Sequence, residues 1–510
     1  RKYKNNFDSM WVDNFPGLRV FDIPSKFSKK LSEYAKKDKI EVSKLVEDFL
    51  KPKKSKKSKR IEDIEPWPHQ ANALKLWNDN DHIGILKHAT GSGKTITGIL
   101  GLYGLKIENK DFLGTVILVP GDLLLKQWTK ELTEKLGREN LDLILCGSGN
   151  NKWKQGALIK RTFRRSKKHK VILSTYSTAS SEKFLKAVSS LKGGHILIIA
   201  DEVHRIGSAG KLKIMDDFKP KFRLGLSATP ERENDEVSTA SIINYFDKIL
   251  DEYNLSDAIR DGWLTKYFYY VSLTNLTDEE EEEWEIITKE IKKDYAQYIG
   301  GGKNNEGLKK RIDRNVINRA RIIKSAKNKI QKAVEIITQK RNPNQKWLVY
   351  CDNGNQIDVL KKALKEVNIN AIEYISDMKS NKIETMKYFS QQDAIMLSIK
   401  CLDEGVNIPT ITHALIIASS QTAREYIQRR GRVLRLSENK SLSMIFDLLV
   451  LPIDNGTDVS NIALSEVKRS LDFSKDSENP DEVKALERML IEKNIDPSQL
   501  VSAGYEDEEE

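Results

Sequence analysis

From Ile61 onward the chain alternates short apolar runs with longer amphipathic stretches, the rhythm of strand and helix in a parallel α/β sheet. The runs at Ile83–Leu86, Thr115–Val119, Leu141–Cys146, Val171–Ser174, Ile196–Ala200 and Phe222–Leu226 predict a first set of buried strands. A second set is predicted at Trp347–Cys351, Ala371–Ile375, Ala394–Ser398, His413–Ala418 and Ser443–Leu448. Between the sets, residues 277–340 break the rhythm. Thr277-Asp-Glu-Glu280 is a capping-box pattern whose acidic first turn suits a helix N-terminus. After Gly300-Gly-Gly302 a basic helical stretch carries Lys309, Lys310, Arg311, Arg314, Arg319 and Arg321. Apolar runs such as Ile196–Ala200 fall far short of the ~18 residues a membrane helix needs.

These textures predict an N-terminal segment ending in a Lys-rich linker at 1–60 and an α/β lobe at 61–250. A connector and helical insertion at 251–340, a second lobe at 341–455 and a helical tail at 456–510 complete the expected order. A chain of 510 residues is long enough for several domains, and 39% hydrophobic with 31% charged content is that of a globular protein. Of the net charge of +11, residues 1–60 supply +10, much of it in Lys51-Pro-Lys-Lys-Ser-Lys-Lys-Ser-Lys-Arg60. That run reads either as a solvated linker or as a strip of phosphate contacts. Cys146, Cys351 and Cys401 are far apart with no C-x-x-C pair, which argues against a disulfide scaffold or zinc site and for a reducing, cytoplasmic setting. The first 30 residues hold no apolar signal-peptide core, and the opening Arg1 suggests a fragment of a longer protein.

Two patterns carry chemistry. Ile83-Gly-Ile-Leu-Lys-His-Ala-Thr-Gly-Ser-Gly-Lys-Thr95 is a strand, a glycine-bearing turn and a helix start, the context in which backbone amides close around phosphates. Thr90, Gly91, Ser92, Gly93, Lys94 and Thr95 form the candidate cradle for ATP, Lys94 reaching the outer phosphates and the Thr95 hydroxyl ligating Mg²⁺. A strict phosphate loop would have glycine where His88 stands. In Ile196-Leu-Ile-Ile-Ala-Asp-Glu202 two carboxylates end an apolar strand, where open α/β sheets bind ligands. Asp201 fits a metal ligand and Glu202 a general base.

Taken in order, Asp201-Glu-Val-His204, Ser227-Ala-Thr229 and Gln428-Arg-Arg-Gly-Arg-Val-Leu-Arg435 resemble the motifs of DEAD/DEAH-type superfamily 2 helicases and translocases. The resemblance runs from about Trp67 to Pro452 and includes Trp67-Pro-His-Gln70, Leu118-Val-Pro-Gly121 with Gln127-Trp128, Ser174-Thr-Tyr176 and Leu402-Asp-Glu-Gly-Val-Asn-Ile-Pro409. Gly225-Leu-Ser-Ala-Thr-Pro-Glu-Arg232 and Asp257-Ala-Ile-Arg-Asp-Gly-Trp-Leu-Thr-Lys266 are similar to a narrower branch, containing XPB-like repair helicases, phage UvsW-type helicases and the motors of type I and III restriction enzymes.

The resemblance implies two tandem RecA-like lobes with ATP between them. It makes Arg432 and Arg435 catalytic arginines alongside Glu202 and Lys94, and Gln70 and Gln428 nucleotide contacts. It assigns coupling to His204, Ser227, Thr229 and Arg429, and nucleic-acid contacts to Pro120, Gly121, Ser174, Thr175 and Gly405. The implied activity is ATP-dependent movement on duplex or branched DNA, as the motor of a restriction, defence or repair system, with a nuclease domain or subunit as partner. RNA unwinding and an ATP-dependent binding switch without processive movement are the alternatives. Base stacking by Trp153, Trp263 or Trp284 is set against the commoner fate of tryptophan, packing.

Overall fold

The computed structural model describes residues 59–492 apart from 156–157, 166–167, 190, 192–194, 209, 233–234, 302, 376–381, 400–409, 419–422, 438–439 and 452–460. The first sheet has β1 (Ile83–His88), β2 (Phe112–Val119), β3 (Leu141–Cys146), β4 (His169–Thr175), β5 (His195–Asp201), β6 (Phe222–Ser227) and β7 (Ile249–Tyr253). Their order is β3-β4-β2-β5-β6-β1-β7, with every pairing parallel. The second sheet has β8 (Lys266–Thr274), β9 (Trp347–Tyr350), β10 (Ala371–Tyr374), β11 (Ile395–Ser398), β12 (His413–Ile416) and β13 (Leu442–Val450), ordered β10-β11-β9-β12-β13-β8 and again parallel. Parallel strands are buried on both faces, which is why the sequence shows continuous rather than alternating apolar runs.

Two strands were not foreseen and they move the expected boundaries. Residues 251–253 still belong to the first sheet, through β7, and 266–274 already belong to the second, through β8. Both are edge strands, so each keeps polar positions: Ile-Leu-Asp-Glu-Tyr in one, and Lys-Tyr-Phe-Tyr-Tyr-Val-Ser-Leu-Thr in the other. Only residues 254–265 link the two sheets.

The helices that place the site are α1 (Pro68–Asp79), α2 (Lys94–Glu108) and α3 (Asp122–Leu136). Residues 277–340 form α4 (Asp278–Gly300), α5 (Glu306–Ser325) and α6 (Lys327–Lys340). The Thr277 capping box forms: its hydroxyl accepts from Glu280 N at 3.3 Å and Glu280 Oε2 accepts from Thr277 N at 3.0 Å. Helices α4 and α5 pack together, with Arg311 paired to Asp294 across them. Trp284 is buried with Leu276, Ile322, Ile323 and Val450, which seats the pair on β13. Trp153 is likewise buried, in the core of the first lobe.

Helix α7 (Ala423–Val433) precedes β13, and α8 (Asn461–Lys475) and α9 (Asp481–Glu492) cover the β13–β8 edge through Leu449, Val467, Leu471, Leu486 and Leu490. Beneath them Arg469 makes a two-pronged pair with Asp447 at 2.9 and 3.0 Å, and Tyr269 OH donates to the same carboxylate at 2.8 Å. Among the described residues no helix is long and apolar enough to cross a membrane.

Candidate active site

Strands β5, β6 and β1 lie side by side, so the segments that leave their C-terminal ends share one edge of the sheet. The turn after β1 bends through Gly91 and Gly93 at φ +93° and +85°, conformations that side chains with a Cβ resist. A Cβ on Gly93 would lie 2.6 Å from Gln70 Nε2, and one on Gly91 would lie 2.9 Å from Leu264 Cδ2. Lys94 opens α2 and folds back over the turn, donating to His88 O at 2.9 Å and Ala89 O at 3.3 Å. Burial pushes its ammonium below the ordinary lysine pKa; Glu202 and Asp201 oppose the shift, while Arg435 and Arg432 add to it. These charges therefore sense one another across a single cleft.

Asp201 ends β5, with one carboxylate oxygen accepting from Trp128 Nε1 at 2.7 Å and the other from Glu202 N at 3.1 Å. Its pKa rises to about 6, chiefly through burial and then through Glu202, against the pull of Trp128 and Lys94. Tyr176 OH donates to Asp201 O at 2.9 Å, tying the segment after β4 to this corner. Glu202 sits at φ 50°, ψ 59°, left-handed for a non-glycine residue. Such a conformation costs about 1–3 kcal/mol and turns this side chain away from the strand's alternation. Ser227 Oγ donates to Glu202 Oε2 at 3.4 Å, and His204 Nδ1 lies 3.3 Å from the same hydroxyl and 3.7 Å from that carboxylate oxygen. Thr229 N donates to Ser227 Oγ at 3.1 Å. The acidic pair and the segment after β6 thus form one hydrogen-bonded unit.

The second lobe closes the cleft with α7 and the turn that follows it. Thr90, Gly91, Gly93, Lys94, Thr95, Asp201 and Glu202 from one side, and Arg432 and Arg435 from the other, line a cavity of about 370 Å³. Gly431 packs directly on the phosphate-loop residue Thr90, where an added Cβ would come within 2.7 Å of Thr90 Cβ. Burial, then Arg432, drives the Arg435 guanidinium down to about 9. Gln428 is buried on the same helix. Arg429 lies 4.9 Å over the Tyr350 ring and donates to Ala418 O at 3.4 Å, contacts within its own lobe. Arg430 meets Asp476 at 3.3 Å and Asp472 O at 3.0 Å, beside and in α8.

Other residues picked out by sequence are placed with more or less freedom. Gln70 is buried; its Oε1 accepts from Trp67 N at 3.0 Å and its Nε2 donates to Gly93 O at 3.3 Å, so its amide braces the loop. Pro120 and Gly121 lead into α3, with open space beside Gly121. The Ser174 hydroxyl is buried and donates to Thr175 O at 3.1 Å, so it is turned inward rather than to the surface. Thr175 caps the short helix after β4. Gly405 and its motif lie outside the described residues, as do residues 1–58 and the acidic end of the chain. His88 packs where a strict loop has glycine, 2.8 Å from Asp251 Oδ2.

The sequence reading missed the supports. Trp128, which the sequence shows only as part of a motif, orients Asp201. Trp67 and Trp263 stack at 4.1 Å beside the cavity, and His69 stacks on Tyr253 at 4.0 Å while bonding Ser92 O at 2.9 Å. No spacing signal marks such pairs, because their partners come from opposite ends of the first lobe and from the linker.

Comparison with known proteins gives two family matches: "Type III restriction enzyme, res subunit" over residues 63–232 and "Helicase conserved C-terminal domain" over 328–437. A DNA 3'-5' translocase XPB2 of Sulfurisphaera tokodaii is 25% identical over 449 residues, covering 84% of this chain and 92% of that protein. The TFIIH helicase/translocase XPB subunit of Trypanosoma brucei is 23% identical over 386 residues, 73% of this chain and 38% of that protein. Among solved structures, the ATP-dependent Type ISP restriction-modification enzyme LlaBIII bound to DNA aligns over 80% of this chain with TM-score 0.57 and 16% identity. The chain spans 30% of LlaBIII, and that likeness speaks to the fold.

Proposed function

The chain belongs to the superfamily 2 helicases and translocases, in the branch of XPB-like translocases and restriction-enzyme motors, and we propose that it is an ATP-driven motor on duplex or branched DNA. The observation that carries this reading is the single cleft in which Lys94, Asp201 and Glu202 of one RecA-like lobe face Arg432 and Arg435 of the other. ATP hydrolysis asks for cations where charge develops and for a base beside the attacking water. Lys94 would leave the loop carbonyls it now bonds and take the outer phosphates. Glu202 would accept the proton from water, its strained backbone and the Ser227 contact fixing the carboxylate. Arg432 and Arg435 would meet the γ-phosphoryl group as the lobes close.

Mg²⁺ fits the residues present. Thr95 and Asp201 line the same cavity, and two oxygen donors beside phosphate and water are what this hard cation takes. When bound, the ion would neutralise phosphate charge. The Trp128 indole would keep the Asp201 carboxylate aimed into the cleft.

Coupling would run through the unit of Glu202, Ser227 and His204, with Thr229 at its edge and Arg429 on the opposite lobe. Nucleic acid would cross the ends of both sheets near Pro120, Gly121 and Thr175, held by phosphates, with Gly405 assigned to the same role by its motif alone. DNA is favoured over RNA because the Sulfurisphaera tokodaii relative is a DNA 3'-5' translocase and the trypanosome relative is a subunit of a basal transcription factor complex. A nuclease domain or subunit is the partner expected of a restriction motor.

The test is steady-state ATPase with duplex, forked and single-stranded DNA and with RNA at fixed salt, followed by triplex displacement. Stimulation by duplex or forked DNA with displacement supports the motor. Stimulation by RNA alone, or ATPase without displacement, replaces it with an RNA helicase or a binding switch.

A further inference from the structure

Helix α7 ends at Val433, where the last carbonyls of a helix have no partner inside it. Glycine often resolves such an end. Here three buried side chains from elsewhere do it. Lys440 Nζ donates to Val433 O and, at 3.0 Å, to Arg435 O. Ser443 Oγ donates to Val433 O at 3.2 Å, and Thr265 donates to Leu434 O through both N at 2.8 Å and Oγ1 at 3.1 Å. The Thr265 and Ser443 hydroxyls are 2.9 Å apart. Thr265, Lys440 and Ser443 are all buried.

The arrangement is expensive for mere packing. A lysine is buried next to Arg435, and burial and that arginine push its ammonium down to about 7. A cation there does have one physical merit: it lies against the negative end of a helix. Its neighbours also matter. Leu264, just before Thr265, bridges Arg435 and would touch a Cβ on Gly91 of the phosphate loop. The linker between the lobes is therefore wedged between the phosphate loop and the arginine-bearing turn.

We propose that Lys440, with Thr265 and Ser443, is a positioning set that holds the Arg432–Arg435 turn in register with the phosphate loop and ties that turn to the interlobe linker. The proposal rests on the reading that these arginines serve the γ-phosphoryl group. Lys440 touches no reacting atom; it acts through the carbonyls that fix where Arg435 points.

The experiment is DNA-stimulated ATPase kinetics of Lys440→Met, Thr265→Val, Arg435→Ala and the two double variants that include Arg435→Ala. Lys440→Met is expected to lower kcat by about 10- to 100-fold, the scale of a misplaced catalytic group, with KM for ATP changed by less than about two-fold. Thr265→Val moves kcat in the same direction by less. Each double variant should be no slower than Arg435→Ala alone, because a positioning residue has nothing left to position. Additive losses in the double variants, a change in KM alone, or wild-type kcat in both Lys440→Met and Thr265→Val would overturn the proposal. Wild-type kcat in Arg435→Ala would remove the arginine reading together with the proposal, whereas a defect there with none at Lys440 and Thr265 removes only the positioning set. Should Lys440→Met not fold, the Thr265→Val and Arg435→Ala cycle decides the question.

Discussion

Gly431→Ala isolates the contact between the lobes from the stability of either. Gly431 is helical, so alanine there suits the backbone and gains up to about 1 kcal/mol of helix propensity. The obstacle lies across the cleft. The new methyl carbon would sit 2.7 Å from Thr90 Cβ, 3.0 Å from Thr90 O and 3.3 Å from Thr90 Cγ2. Carbon atoms rest at about 3.5–4.0 Å, so α7 must retreat from the phosphate loop by roughly 1 Å. That retreat carries Arg432 and Arg435 away from the phosphate loop, where the proposed function puts the nucleotide. A misplacement of this size costs about 10²-fold in rate, and the expected effect is a kcat loss of that order with KM for ATP little changed. The control is Gly104→Ala on α2, where nothing lies within 4 Å and alanine should raise stability without touching ATPase. DNA-stimulated ATPase and urea unfolding of both variants read the two effects separately. Wild-type kcat in Gly431→Ala, with stability intact, would mean that the Thr90 contact is not the working closure of the lobes.

Further outcomes follow from the same geometry. Glu202→Gln should bind ATP but lose turnover, with retained hydrolysis in a single-turnover assay removing Glu202 as the base. Arg432→Ala should lower kcat by roughly 10³-fold or more, measured at saturating ATP and DNA. Burial raises the thiols of Cys146 and Cys351 to about 12, so at pH 8.5 the reactive thiolate is scarce and native protein should leave both unlabelled. Labelling rises only as pH climbs toward that value or as the chain unfolds, and site-resolved mass spectrometry of alkylated protein checks it. Asp447→Asn strands the buried Arg469 guanidinium and should cost about 3–5 kcal/mol in urea unfolding; a loss below about 1 kcal/mol would show that α8 is held by its apolar face alone.

How far the sequence spoke depended on whether the chemistry was local. Strands such as Ile196–Ala200 were legible because burial on both faces leaves an unbroken apolar run. Edge strands β7 and β8 were not, because one side of each lacks a strand neighbour and polar residues survive there. The phosphate loop and the acidic pair were legible because turn, strand end and side chain all lie within a few residues. Trp128 on Asp201 was not, since its partner lies 73 residues further along the chain and indole donors follow no spacing rule. The glutamine of Trp67-Pro-His-Gln70 was found, but its commitment to Gly93 O could only come from knowing that α1 docks against the turn after β1.

The division of the site between lobes has a mechanical consequence. Neither sheet carries both the glycine turn after β1 and the two arginines, so on the proposed function hydrolysis requires the lobes to meet, and the chain joining them in this direction is residues 254–265. That linker passes the cleft itself: Trp263 stacks on Trp67, Leu264 sits over Gly91, and Thr265 holds the carbonyl before Arg435. A linker anchored at each end and touching both halves of the site cannot change course without moving the loop, the arginine turn or both. On the proposed function, occupancy of the cleft and the angle between the lobes belong to one equilibrium, and by linkage DNA that favours one lobe arrangement would alter ATP affinity by the same factor that ATP alters affinity for DNA.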